Sequence, residues 1–324
     1  MTKVARLYHE QGMRQPAIAK QLLVSQAMVS RLLAGAQREG IVRTTVTPPA
    51  GVYPDIEDEL ERRYQLKDAI VADCTVETPD QLLRDIGSAA AVYLETTLER
   101  DEVVGISSWS ETLLWMVGSM QPLRRSAGSH VVQSLGGIGN PTAEAHAIQL
   151  TTQLASLLRA EPHFLPAPGV TASAEATAHF LAEPSVTETS SYFDNLTVAL
   201  VGVGALHPSR LLGESGNVFS EQELDELDRL GAVGDICLRF FDKSGTAVDS
   251  GFGERVIGLS LEQLQRVPRA VAVAGGEEKF EAIRGALAGQ LINVLITDRF
   301  TAERLVAIPA SNEESRRLLQ GVTK

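Results

Sequence analysis

Apolar residues in the first 45 positions recur at helical intervals, whereas from Lys67 onward short apolar runs alternate with longer amphipathic ones. Val4, Ala5, Leu7 and Tyr8 predict a first amphipathic helix that stops near Gly12. Pro16 suits the first turn of a second helix, and Ala17, Ile18, Ala19, Leu22 and Leu23 supply its apolar residues. A four-residue turn follows, with Val24 expected to point inward. Ser25 is placed to N-cap a third helix whose buried face is Val29, Leu32 and Leu33. Gly40 closes that helix, and Ile41 to Val46 reads as a strand, a candidate wing.

Pro48, Pro49, Gly51 and Pro54 mark a linker. Asp55 to Leu66 then predicts a short charged helix with a narrow stripe, Ile56, Leu60 and Tyr64, suited to a contact with a second copy and equally to the chain's own body. Beyond it the pattern predicts strands at Ala69–Ala72, Glu102–Ile106, His130–Ser134, Thr197–Val203, Asp235–Phe241, Ala270–Ala274 and Asn293–Thr297. The intervening helices are expected at Pro79–Leu98, Trp109–Met120, Thr142–Leu158, Glu221–Leu230 and Glu277–Leu287. Strands that are apolar on both faces belong in a parallel sheet covered by helices, so the expected fold is a doubly wound α/β body behind a helical head. The expected division is a helix-turn-helix domain at 1–50, a linker and oligomerisation helix at 51–66, and a ligand-binding domain at 67–324.

The polar face of the third helix changes the picture from fold to chemistry. Ser25, Gln26, Ser30 and Arg31, with Ala27 between them, have the short side chains that let a helix sit deep in the major groove and the donors that reach base edges and phosphates. Gln15, Ala19, Val24, Val29 and Leu32 also match the spacing of a DNA-binding helix-turn-helix, in which a small residue lets the two helices cross closely. One position departs from it. The turn position usually held by Gly is Leu23, and a left-handed backbone there costs roughly 1–2 kcal/mol, which favours a reshaped turn.

Charge supports the same reading. Residues 1–45 carry seven Lys and Arg against two Glu, a net +5 within a chain of net −12, so only the head suits a polyanion. The 324-residue length accommodates such a module and one large domain. No apolar run approaches the roughly 18 residues of a membrane span, and the first residues lack the apolar core of a signal peptide. A cytoplasmic protein without a membrane partner is expected. Cys74 and Cys237 have no metal-ligand spacing and read as buried, reduced thiols.

Several strand-to-helix loops are polar or glycine-rich. The stretch from Val104 to Thr112 offers hydroxyls and backbone N–H groups at a helix N-terminus, a natural phosphate cradle. Gly136-Gly137-Ile138-Gly139-Asn140 and Gly202-Val203-Gly204 end two further strands, Gly234-Asp235 opens another, and Ala274 to Lys279 brings a lysine near a helix start. Each glycine has a backbone reason to be there, but five such loops together favour a small-molecule pocket.

The head QPAIAKQL with VSRLL and AQREGIVR, followed by VVGISSWSETL, GAVGDICLRFFD, VAVAGGEEKFEAI and NVLITD, resembles the SorC family of sugar-binding transcriptional regulators over nearly the whole chain. That resemblance implies an N-terminal helix-turn-helix of winged-helix type and a body related in fold to glucosamine-6-phosphate deaminase and ribose-5-phosphate isomerase. It also implies a homodimer or homotetramer, operator DNA as partner, and a sugar, polyol or sugar phosphate as effector, with no cofactor. By similarity, Ser107, Ser108, Trp109 and Thr112 would hold a phosphate with Lys279 facing it, Asp235 would bond ligand hydroxyls, and Gly136, Gly137 and Asn140 would line the pocket. Ser110-Glu111 departs from the family pattern by placing a carboxylate near that phosphate, at a cost on the order of a few kcal/mol. Two alternatives stand beside this reading. One is an enzyme of the same fold using Asp235, Glu277, Glu278 and His207 for proton transfer; the other is an architectural DNA-binding oligomer with a vestigial pocket. A non-enzymatic regulator is expected.

Overall fold

In the computed structural model, which describes residues 1–42, 49–123, 128–137, 141–216 and 219–309, the apolar stripes of the head close on one another. Helix α1 (Thr2–Ala5) runs into a π-helical turn at Arg6–Glu10, and α2 (Gln15–Leu22) and α3 (Gln26–Arg38) follow. Val4, Leu7, Ile18, Ala19, Val29 and Leu33 form their shared core, with Ile18 and Val29 wholly buried. The Ser25 hydroxyl accepts the Met28 N–H at 3.2 Å and so caps α3.

The turn between α2 and α3 is not reshaped. Leu23 itself takes the left-handed conformation, with φ 57° and ψ 40°, and its side chain is 93% exposed. Leucine therefore bears the steric cost of the turn and buries nothing in return. Val24 is exposed rather than directed inward. Ile41 and Val42 form a bend in which the Val42 N–H donates to Ala36 O at 3.1 Å; the rest of the expected wing strand, residues 43–46, lies outside the described residues.

The chain divides into two units, Met1–Ala50 and Gly51–Lys324. The second is built on a seven-stranded sheet in the order β1-β10-β9-β5-β2-β3-β4, all parallel, and a three-stranded antiparallel sheet β6-β7-β8. The strands are β1 (Asp68–Ala72), β2 (Glu102–Ile106), β3 (Gly128–Gln133), β4 (Glu161–His163), β5 (Val198–Val201), β6 (Gly204–Ala205), β7 (Ala232–Ile236), β8 (Arg239–Asp242), β9 (Arg269–Val273) and β10 (Val294–Asp298). Among the described residues eleven α-helices accompany them: α4 (Pro54–Tyr64), α5 (Pro79–Thr97), α6 (Glu111–Ser119), α7 (Pro141–Leu158), α8 (Ala174–Ala182), α9 (Pro184–Ser190), α10 (Arg210–Ser215), α11 (Glu221–Arg229), α12 (Leu261–Arg266), α13 (Phe280–Ala288) and α14 (Arg299–Ala307). None among the described residues is long and apolar enough to cross a membrane.

Alternation along the strands explains the two layers. Val198 and Leu200 of β5 pack with Ile86, Leu94, Leu113, Met116 and Leu154 from α5, α6 and α7. Their neighbours Ala199 and Val201 face the other way, into a layer with Leu264, Ile283, Leu287 and Leu305 from α12, α13 and α14. Each such buried side chain contributes about 1.5–3 kcal/mol, so both faces of the sheet are committed to packing. At the amino ends of the strands Arg269 spans β5 to pair with Glu102 at 2.6 Å, the two side chains only 18% and 12% exposed.

Two expectations change, and a third question is resolved. The stretch Asp235–Phe241 is not one strand but the meeting of β7 and β8, which turn back at Cys237-Leu238. The helix expected from Glu277 begins with a 3-10 turn, Glu277–Lys279, before α13. Of the two placements open to the stripe on α4, the chain's own body is occupied: Leu60 is wholly buried and the Tyr64 hydroxyl donates to Leu305 O at 3.2 Å. On the same helix Glu57 and Glu61 accept the N–H groups of Val71 and Ala69 in edge strand β1, at 2.9 and 3.2 Å. The i, i+4 step of the helix thus matches the i, i+2 step of the strand.

Replacing Leu23 with Gly should remove the left-handed strain at no loss of packing. The variant should be more stable to urea by about 0.5–1 kcal/mol in the transition that reports on the head, after allowing for the greater freedom of Gly in the unfolded chain. A destabilised variant would mean that the exposed leucine has a packing role.

Candidate functional site

The strand order reverses beside β2. From β2 the chain moves outward through β3 to β4; it then returns to place β5 on the other side of β2 and continues through β9 and β10. The connections leaving β2 and β5 therefore run in opposite directions and leave a crevice at the carboxyl ends of those strands. A cavity of about 530 Å³ opens there. Its wall is formed by Ser107 and Trp109 to Glu111 after β2, Leu135 after β3, Gly202 to Ala205 after β5, the loop His207 to Ser209, the β7–β8 turn, and Glu278 and Lys279 after β9.

Space, not backbone freedom, explains the glycines after β5. Gly202 and Gly204 both lie outside the left-handed region. A Cβ on Gly202 would press on Ser110, and one on Gly204 would overlap the Asp235 carboxylate. Ser110 is the N-cap of α6, its hydroxyl accepting the Leu113 N–H at 3.3 Å. Asp235 pairs with Gly204 across the small sheet and accepts the Leu238 N–H at 2.9 Å. That bond spans a two-residue turn in which both Cys237 (φ 52°) and Leu238 (φ 60°) are left-handed. Asn-Gly is the usual occupant of such a turn; Cys-Leu stores roughly 1–2 kcal/mol per residue and sets Asp235, Cys237 and Leu238 on the cavity wall.

Burial sets the electrostatics. The Asp235 carboxyl is pushed up to about 6 by burial, against the opposing pull of the Leu238 N–H and the Lys279 charge. Burial pulls the Lys279 ammonium down, while Glu111, Asp235 and Glu278 act to hold its proton. Cys237 is pushed up to about 12 by burial, so it stands in the wall as a neutral thiol. The cavity thus offers an ammonium, carboxylates and buried serine hydroxyls, a set able to hydrogen-bond many hydroxyls of one small molecule.

Of the residues singled out from the sequence, Ser107, Trp109, Asp235 and Lys279 line this cavity. Ser108 and Thr112 do not; Ser108 is buried with its hydroxyl donating to Leu135 O at 3.2 Å, and Thr112 is buried within α6. Gly136 and Gly137 stand behind the wall, which Leu135 forms on that side. Gly136 O accepts the Trp109 Nε1–H at 3.3 Å, and a Cβ on either glycine would strike Pro168 or Gln133 and Ala147. Asn140 lies outside the described residues. In the head, Ser25, Gln26, Ser30 and Arg31 are all exposed on one helix. His207 and Glu278 reach the cavity, while Glu277 is exposed and off its wall. Leu238 carries no sequence signal as a site residue; the Gly202-Val203-Gly204 loop does, but that Gly204 lies against Asp235 follows only from the pairing of β6 with β7.

Residues 52–307 match the family described as "Putative sugar-binding domain". The chain is 31% identical over 308 residues to the sorbitol operon regulator of Klebsiella pneumoniae, covering 94% of this chain and 97% of that one. It is 34% identical over 306 residues to the deoxyribonucleoside regulator of Bacillus subtilis, covering 94% and 96%. The crystal structure of the full-length sorbitol operon regulator SorC from Klebsiella pneumoniae superposes with a TM-score of 0.73 at 30% identity, over 94% of this chain and 97% of that chain.

Asp235→Asn keeps an acceptor for the Leu238 N–H while abolishing the buried charge. Because the folded-state carboxyl is raised from 3.8 to about 6, its stabilising contribution is complete below the unfolded value and is lost as pH rises through about 6. The variant should therefore gain on the wild type above that point, by on the order of 1–3 kcal/mol in urea unfolding at neutral pH, and the gain should vanish near pH 4. An offset that does not change with pH would place the Asp235 charge in solvent.

Proposed function

The chain belongs to the family of sugar-responsive transcriptional regulators that carry this sugar-binding domain, and we propose that its effector, a sugar or polyol in free or phosphorylated form, binds in the cavity at the strand-order reversal. The observation that carries the reading is the convergence of Asp235 and Lys279, from two separate strand ends, on one open cavity beside the N-terminus of α6. Asp235 would bond ligand hydroxyls, and Ser107 and Ser110 would supply further polar contacts. Lys279, with the first turn of α6, would take the more electron-rich end of the ligand, a phosphate where one is present. Trp109 closes one side as an apolar platform.

The head supplies the second site. Ser25, Gln26, Ser30 and Arg31 would contact operator DNA from the major groove, the basic surface of the head adding affinity through counterion release. A homodimer or homotetramer would present paired heads to half-sites about 34–36 Å apart or multiples of that distance. Effector binding changes operator affinity only through its differential affinity for two arrangements of the assembly, typically worth about 1–3 kcal/mol. The protein works in the cytoplasm as a regulator rather than an enzyme. What supports this reading is that the sorbitol operon and deoxyribonucleoside relatives are named as regulators.

A thermal-shift screen against matched pairs of sugars, polyols and their phosphates tests the cavity, since a bound ligand raises apparent stability by about 2.7 kcal/mol at a hundredfold excess over its dissociation constant. Two variants then separate the sites. Lys279→Ala should lose the ligand-dependent shift and the ligand's effect on DNA while keeping operator affinity. Arg31→Ala should keep the thermal shift and lose operator affinity by at least about tenfold, an effect of roughly 1–3 kcal/mol. A Lys279→Ala protein that still answers the effector would move the ligand elsewhere, and full operator affinity in Arg31→Ala would remove Arg31 from the contacts.

A further inference from the structure

Three side chains far from the cavity converge at the outer edge of the large sheet. His130 stands on β3, and Glu161 and His163 stand on β4, the last strand in the order. The register pairs His130 with Glu161 and Val132 with His163. Alternate residues of a strand share a face, so all three project from the same side of the sheet. There His130 Nδ1 lies 2.9 Å from His163 Nε2 and 3.8 Å from Glu161 Oε2. Donor atoms from all three fall within 4.8 Å of one another. The Tyr192 ring packs on both imidazoles, with centroids 5.0 Å from His130 and 4.3 Å from His163.

We propose that His130, Glu161 and His163 form a binding site for a divalent transition-metal ion, best suited to zinc, with a fourth coordination position open to water. Two imidazoles and a carboxylate are the donor set that zinc accepts in three-ligand sites. Tetrahedral bonds of about 2.0–2.1 Å place neighbouring donors about 3.3 Å apart, a value that the 2.9 and 3.8 Å separations straddle. The third separation, Glu161 to His163, lies within 4.8 Å, and the exposed Glu161 is placed to swing inward and close it. The imidazoles are partly buried, and both pack against Tyr192, which limits their movement. Glu188 adds a second carboxylate within electrostatic reach of His163. A bound ion would fasten three-residue β4 to β3.

The test uses the full chain, stripped with a chelator and then titrated with zinc against a chromophoric competitor, and separately with cobalt(II) read by its visible bands. The wild type should take up one zinc equivalent at this site and give cobalt bands of four-coordinate intensity. Glu161→Gln, at an exposed position on which folding does not depend, and His163→Gln should each weaken zinc by at least the 10–100-fold that follows loss of even an outer-shell partner, and should lose the cobalt bands. Should His163→Gln fail to fold, Glu161→Gln decides alone. Absence of stoichiometric zinc uptake by the wild type, or wild-type zinc affinity in the folded variants, overturns the proposal.

Discussion

A parallel sheet whose central strands are packed on both faces leaves polar chemistry only to their ends and to the sheet's outer edge. Helices cover β5, β9 and β10 on either side, and the buried pair Arg269–Glu102 occupies the amino ends. A ligand rich in hydroxyls must therefore be met at the carboxyl ends, and the reversal of strand order beside β2 decides where along that edge. Most residues of the candidate site therefore lie close to a strand terminus, Ser107 and Gly202 immediately after one and Asp235 just before another. None needs a long structured loop to reach the cavity.

Within that space the fine arrangement rests on what is missing from Gly202 and Gly204. Their absent side chains let Ser110 and Asp235 approach β5 and β6, and Asp235 in turn holds together a turn that its own residues disfavour. A buried carboxylate and a strained Cys-Leu pair both oppose folding. They are tolerated because the surrounding layers over-determine the position, a pattern typical of places where geometry serves binding rather than stability.

The α/β character of the body was legible in the sequence because strands apolar on both faces have few other homes. The helix pair in the head was legible because Ser25 and the Val29, Leu32, Leu33 spacing specify it. The β7–β8 hairpin was hidden, since an apolar run from Asp235 to Phe241 looks like one strand and Cys237-Leu238 carries none of the usual turn residues. The roles of Gly136 and Gly137 behind the wall, rather than on it, depend on Pro168 and Ala147, whose approach is a tertiary fact. Likewise His130 and His163 are 33 positions apart, and only the pairing of β3 with β4 brings them together. Long-range pairings of this kind carry no local signal.

The carboxylates of Glu57 and Glu61 have a consequence for association. Edge strand β1 would otherwise offer the Ala69 and Val71 N–H groups as a template for another extended chain, and α4 occupies them with side-chain oxygens instead. The opposite edge is only three residues long. With the Ala69 and Val71 N–H groups taken by side-chain oxygens, this edge no longer presents the donors that a strand from a neighbour would pair with. The same helix that finishes the fold also steers the protein away from fibrous growth.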